Sequence, residues 1–169
     1  MIRPADERDL DGIMDIIGHV VAEMRAEGID QWSDAYPVRA DFLSDIAAGS
    51  LWVDEAETGA RGLRGLVCVN REEPPEYRDG EWSRDAASLV IHRLAVHPDN
   101  RRRGVGRGLL LLAEDLARRS GLYYLHPDTY SMNGRMNALF AGMAYRRAGD
   151  IRFPGHRQVF RCYDKELSS

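Results

Sequence analysis

A chain of 169 residues that is 44% hydrophobic and 30% charged has the size and composition of one folded domain, and it argues against two. Its formal charge of −4 speaks against a protein coated with nucleic acid or seated on an anionic membrane, because such partners select a strongly basic face. Cys68 and Cys162 form no Cys-x-x-Cys pair, so neither a disulfide scaffold nor a thiolate zinc site is supported, and a reducing cytoplasm fits.

After a short extended start at 2–4, Asp6 is placed to cap a helix. Its apolar residues Leu10, Ile13, Met14, Ile17, Val20, Val21 and Met24 recur at helical spacing, and Gly28 stops it. Segment 28–37, GIDQWSDAYP, mixes turn formers with Trp32 and Tyr36 and reads as a loop that presents aromatics. A shorter helix follows with the stripe Phe42, Leu43 and Ile46, ended by Gly49. Segments 50–55 and 63–70 are rich in strand formers and flank a polar, Gly-containing connection, which predicts a hairpin. The long loop 71–85 holds Pro74, Pro75 and four glutamates. Segment 88–97 is the clearest strand, apolar enough for cover on both faces, and Pro98 keeps His97 extended.

The period then changes. Val105, Leu109, Leu112, Ala113 and Leu116 form a helical stripe that ends near Gly121, and 122–126 is a short strand running into Pro127. Strand, helix and strand in that order predict a right-handed parallel crossover. Asn133 is placed to cap a further helix with Met136, Leu139, Phe140 and Met143 on one face, and two last strands are expected at 146–151 and 156–163. The N-terminal MIRPADERDL lacks a secretory pattern, and no apolar run approaches the roughly 18 residues of a membrane span. A cytoplasmic protein with no membrane partner is therefore expected.

Between the best strand and the best amphipathic helix, 100–108 reads N-R-R-R-G-V-G-R-G. Segment 101–119 carries six Arg against Glu114 and Asp115, a basic island in an acidic chain. Glycines let a backbone approach a ligand with successive N–H groups turned toward it, and a helix N-terminus adds partial positive charge, so phosphate is the natural occupant. There is no G-x-x-x-x-G-K-[ST], and Gly104, Gly106 and Gly108 give G-x-G-x-G where a dinucleotide fold needs G-x-G-x-x-G. No acidic residue closes the next strand to hold a ribose. A nucleoside triphosphate and NAD are disfavoured. Nucleic-acid binding through this cluster is disfavoured too, since Val105, Leu109 and Leu110 are neither basic nor aromatic.

These residues resemble the signature of the GNAT superfamily of acetyl-CoA-dependent N-acyltransferases. The family's apolar strand, Pro and [RQ]-x-x-G-x-[GA] turn are matched by Leu94-Ala95-Val96-His97-Pro98 followed by Arg101-x-x-Gly104-x-Gly106. The likeness continues through Asp128-Thr129 and Asn133 to Ala138-Leu139-Phe140. It implies an α/β fold, with a mixed, mostly antiparallel sheet that contains one splayed parallel pair and is flanked by helices. One N-acetyltransferase domain would span 1–169. It also implies that Arg101, Arg102, Arg103, Gly104, Val105, Gly106, Arg107 and Gly108 hold the pyrophosphate of coenzyme A. The backbone of Leu94, Ala95 and Val96 would pair with pantetheine, and Asn133 and Phe140 would flank the far side of that arm.

Amine acetylation needs a neutral nucleophile, donors for the oxyanion and a departing thiolate. His92 lies among apolar residues on the central strand, and H-R-L-A-V-H is similar to the histidine-bearing strand of the arylalkylamine N-acetyltransferases, so His92 is the expected base, acting through water. A core histidine with satisfied hydrogen bonds is the alternative. Phe140 stands where many family members carry a Tyr that protonates the thiolate, leaving water, Tyr130 or Tyr145 to substitute. The N–H of Val96 or a neighbour is the implied oxyanion donor. By the same resemblance Gln31, Trp32, Tyr36 and segment 153–156 border the acceptor cleft. The glutamates of the long loop either attract a cationic amine or are simply solvated. His19, His97, His126 and His156 are read as having no i,i+4 or His-x-His spacing with a nearby carboxylate set, so no metal is expected. The sequence thus predicts transfer of acetyl from acetyl-CoA to a small-molecule or peptide amine, by a chain that can form a homodimer. A non-catalytic acyl-CoA sensor is the rival that Phe140 favours.

Overall fold

Pleat and helix period sort the chain into seven strands and four helices in the computed structural model, which describes residues 1–56 and 62–168. In chain order they are β1 (Ile2–Pro4), α1 (Leu10–Ala26), α2 (Arg39–Ala47), β2 (Leu51–Glu55), β3 (Leu63–Asn70), β4 (Leu89–Val96), α3 (Val105–Arg119), β5 (Tyr124–Tyr130), α4 (Gly134–Gly142), β6 (Arg146–Ile151) and β7 (Phe160–Glu166). The sheet order is β1-β2-β3-β4-β5-β7-β6. β4 and β5 are parallel, in register Leu89↔Leu125, Val90↔His126 and Ile91↔Pro127, while β1 with β2, β2 with β3, β5 with β7 and β6 with β7 are antiparallel. This is the mixed, mostly antiparallel sheet that the sequence predicts. The turn of the β2–β3 hairpin, 57–61, lies outside the described residues.

The chain divides into two compact units, one formed by Met1–Val69 with Arg93–Leu110 and the other by Asn70–His92 with Leu111–Ser169. In the first, Asp6 caps a 3-10 turn at Glu7–Asp9, which hands over to α1 at Leu10. The buried face of α1 is Leu10, Ile13, Ile16, Ile17, Val20, Val21 and Met24, so Ile16 takes the place predicted for Met14, which is half-buried. Gly28, at φ +71°, ends the run. α2 departs further from its expected stripe: Phe42 is fully buried, Leu43 is exposed, and the second buried residue is Asp45. At Gly65 of β3 the backbone comes so close to its neighbours that an added Cβ would stand 2.8 Å from the Ala95 carbonyl oxygen and 2.9 Å from Val105 Cγ1.

In the second unit β5 runs through Pro127 to Tyr130, longer than the predicted strand that stopped at the proline. A proline has no N–H to give a ladder, and here it stands opposite Ile91, the last pair of the parallel register. β7 begins at Phe160, later than predicted, and 152–159 forms the turn before it. Asp164 of β7 is 2% exposed and accepts from Tyr124 Oη (2.6 Å), Arg146 Nη2 (2.7 Å) and the Ser83 N–H (2.7 Å). Lys165 donates to Glu114 Oε1 (2.7 Å) and to the Met143 carbonyl (2.8 Å), which pairs a buried carboxylate of α3. Among the described residues no helix is long and apolar enough to cross a membrane.

Candidate active site

In the first unit the signature turn begins at His97, whose N–H reaches the Arg64 carbonyl at 2.8 Å and whose Nδ1 accepts the Asp99 N–H at 3.2 Å. A 3-10 turn, Pro98–Asn100, follows. Arg102 and Gly104 then adopt left-handed backbone, φ +59° and +79°, and α3 starts at Val105. Alternating left-handed residues turn successive N–H groups to one side, and a helix start leaves its first N–H groups without intrahelical partners. The first helical bond of α3 is Gly108 N–H to the Gly104 carbonyl, at 2.8 Å. Arg102, Arg103 and Arg107 are exposed, whereas Arg101 is tied to Glu23 of α1 at 2.5 Å. Arg101 therefore fixes the turn to the helix, and the three exposed arginines remain for an anion.

The strand before this turn contains a residue the sequence reading passed over. Arg93 adopts φ +46°, rare for a side chain with a Cβ, and its guanidinium binds both oxygens of Asp45, at 2.8 and 2.6 Å. Its Nη1 donates to Tyr36 Oη at 3.0 Å. Of the three residues expected to border an acceptor, Tyr36 is exposed and held by this pair, while Gln31 and Trp32 are half-buried. Leu94 and Ala95 are buried and Val96 is half-buried. Burial pushes the Cys68 thiol up to about 11, which makes it a poor nucleophile.

The second unit holds His92, half-buried, with Nε2 3.0 Å from Asn70 Oδ1 and 3.0 Å from the Glu72 carbonyl. Asn70 Oδ1 also accepts the Glu72 N–H at 2.9 Å, which fixes it as the oxygen. Two acceptors require a proton on Nε2, so the lone pair of neutral His92 is on Nδ1. A second candidate base was missed by sequence reasoning. Asp128 of β5 accepts the Tyr77 hydroxyl on Oδ1 at 2.6 Å, and its second oxygen takes no bond among the described residues. Burial, with a contribution from the Glu76 charge, raises its carboxyl to about 6 against the Tyr77 bond.

Around these groups the long loop is anchored by Tyr77 and Trp82. Trp82 Nε1 donates to the Tyr77 carbonyl at 2.6 Å, and its ring stacks on His126 at 3.9 Å. Glu73 accepts from Ser88 Oγ at 2.9 Å and lies 3.0 Å from His126 Nδ1, so this glutamate is committed to the β5 side. Burial lowers the His126 pKa. Asn133 caps α4 by accepting the Met136 N–H at 3.1 Å. Phe140 is 2% exposed, 5.5 Å from the Tyr145 ring and 5.1 Å from that of Tyr163, which is a packing environment. Tyr130 and Tyr145 are buried as well.

A mixed sheet with one parallel pair, with a glycine- and arginine-rich turn at the start of the helix between the paired strands, is the arrangement that the resemblance implies. The family model of the acetyltransferase (GNAT) family matches residues 17–145, and the chain belongs to that family. Among solved structures it is similar to a GNAT-family acetyltransferase from Streptococcus agalactiae, with 27% identity and a TM-score of 0.86 over 100% of this chain and 96% of that one. A putative acetyltransferase from Staphylococcus aureus Mu50 gives 25% identity and a TM-score of 0.76 over 99% of both chains. YncA of Salmonella typhimurium, a putative acetyltransferase solved with its cofactor acetyl-CoA, gives 20% and 0.72 over 100% of this chain and 94% of that one, a likeness of fold. No curated protein sequence matches the chain.

Proposed function

We propose that the chain is one N-acetyltransferase domain that moves the acetyl group of acetyl-CoA to a primary amine of a small molecule or peptide. The observation that carries the reading is the turn 101–108, with left-handed backbone at Arg102 and Gly104 and exposed Arg102, Arg103 and Arg107 at the start of α3. Its amides and arginines suit a pyrophosphate, and at Gly104 nothing stands within 4 Å of an added Cβ, so a ligand has open backbone to approach. Bound acetyl-CoA supplies an activated thioester. In this reading Leu94, Ala95 and Val96 offer backbone to its pantetheine arm.

The residues of the chain then have to take a proton from an ammonium. That role is assigned to one of two groups, His92 or the second oxygen of Asp128. Asp128 is favoured because a carboxyl at about 6 is ionised at neutral pH yet basic enough to accept a proton, the balance general-base catalysis needs. Gln31, Trp32 and Tyr36 are assigned to the acceptor, with Arg93 and Asp45 positioning Tyr36. The departing thiolate takes its proton from water, since Phe140 has none to give.

Thiol release from acetyl-CoA across a panel of amines tests this reading. Amine-dependent release with kcat/KM rising through an apparent pKa near 6, and loss of that limb in Asp128→Asn but not in His92→Gln, is the expected result. If acetyl-CoA binds and no amine is turned over, the chain is an acyl-CoA sensor.

A further inference from the structure

On the solvent side of α1 three metal-binding groups converge without bonding to one another. Asp15 and His19 stand one helical turn apart, an i,i+4 carboxylate–histidine spacing that corrects the reading of the sequence. His97, at the start of the signature turn, joins them: its Nε2 is 3.7 Å from Asp15 Oδ2, and its ring centroid is 4.8 Å from that of His19. One ligand atom from each of the three lies within 4.8 Å of the other two. At 3.7 Å neither imidazole is hydrogen-bonded to the carboxylate, and among the described residues no donor reaches the Asp15 carboxylate. A carboxylate and two imidazoles, all within the first unit, thus stand close together with no hydrogen bond among these three side chains.

We propose that Asp15, His19 and His97 form a site for one divalent cation of the zinc class, which ties α1 to the turn that opens the signature motif. Two imidazoles and one carboxylate are a borderline-soft set that suits zinc over magnesium or calcium. Tetrahedral ligands at about 2.0 to 2.1 Å from the ion stand roughly 3.3 Å apart, so the His97–Asp15 pair needs to close by only a few tenths of an ångström. His19 Nδ1 lies 3.7 Å from Asp15 Oδ1 and 2.8 Å from the Asp15 backbone carbonyl, so to coordinate the ring exchanges that carbonyl for the ion or turns its Nε2 inward. For His97 to bind through Nε2, its proton moves to Nδ1, which now accepts the Asp99 N–H and has Asp99 Oδ2 3.9 Å away. Metal binding therefore exchanges an amide for a carboxylate partner at Nδ1 and reshapes the start of the Pro98–Asn100 turn. The side chains of Asp15 and His19 are 63% and 54% exposed and that of His97 is 15% exposed, so the ion can enter from solvent and keep water as its fourth ligand.

The test uses the intact protein freed of metal by chelation and titrated with ZnCl2 by calorimetry and with CoCl2 by visible absorption. One equivalent should bind, with the visible bands of tetrahedral cobalt and no thiolate charge-transfer band, because both cysteines are buried elsewhere. His19→Gln and Asp15→Asn, each on the exposed face of α1, should weaken zinc at least tenfold while leaving the circular dichroism spectrum unchanged, and zinc should raise the unfolding temperature of the wild type only. Affinity equal to the wild type in both variants, a thiolate band, or no saturable binding below millimolar zinc overturns the proposal. None of these readouts depends on acetyl transfer, so the site stands or falls separately from the proposed activity.

Discussion

Replacing Asp128 by Asn removes a charge from a half-buried place while keeping an oxygen for the Tyr77 hydroxyl to reach. In the folded chain the carboxyl titrates at about 6, against an ordinary 3.8, so between these two values the folded state holds a proton that the unfolded state has lost. The stability associated with this group is fully present below about pH 4 and is lost as pH rises through about 6. A difference of 6 against 3.8, at about 1.4 kcal/mol per unit, gives at most about 3 kcal/mol, and partial exposure brings the expected figure to between about 1 and 3 kcal/mol. Asp128→Asn should therefore match the wild type near pH 4 and exceed it by that amount at pH 8, a rise of several degrees in Tm for a chain of this length. Urea unfolding of both proteins from pH 4 to pH 8 measures the difference directly. A difference that is flat with pH, or that favours the wild type at pH 8, refutes the burial argument. If Asp128 is also the base, the stabler variant should be slower by about 10² to 10⁴ in turnover.

Three more perturbations follow from close contacts and backbone geometry. Gly65→Ala should cost about 1 to 3 kcal/mol in denaturant unfolding, because the carbonyl of Ala95 at 2.8 Å is backbone and has little freedom to yield. Arg93→Met should cost about 3 kcal/mol or more, since Asp45 would keep a buried charge without its guanidinium; an unchanged denaturation midpoint would show that water replaces the pair. Gly104→Val forces a branched side chain into backbone at φ +79°, and should raise the Kd for coenzyme A at least tenfold in calorimetry while the far-ultraviolet dichroism stays native.

What the sequence made legible was what short-range pattern carries. The buried face of α1, the capping Asn133 and the glycine-rich turn all depend on residues within a turn or two of one another, and they stand where the spacing placed them save that Ile16 replaces Met14 on α1. The misread details have tertiary causes. Leu43, expected on the buried face of α2, is exposed, and Arg93, 48 residues from Asp45, supplies the charge that lets Asp45 be buried there. Pro127 looked like the end of a strand because it cannot donate, although a strand can pass through a proline that sits at the last pair of a ladder. Asp128 gave no signal of its own, since what raises its carboxyl is burial beside Tyr77, 51 residues distant. An arginine in the middle of an apolar strand was the one available hint, for such a charge needs a buried partner.

The chain has a single lysine, Lys165, and its ammonium is held between Glu114 and the Met143 carbonyl. Its side chain is 21% exposed and its nitrogen is engaged by two oxygens, which leaves an acyl donor little access to it. Under the proposed amine acetylation, the enzyme is thus nearly blind to its own ε-amine. Stored with excess acetyl-CoA, the purified protein should show no acetylation at Lys165 by peptide mass spectrometry, and the background of an amine assay should be set by thioester hydrolysis, with self-modification contributing nothing measurable.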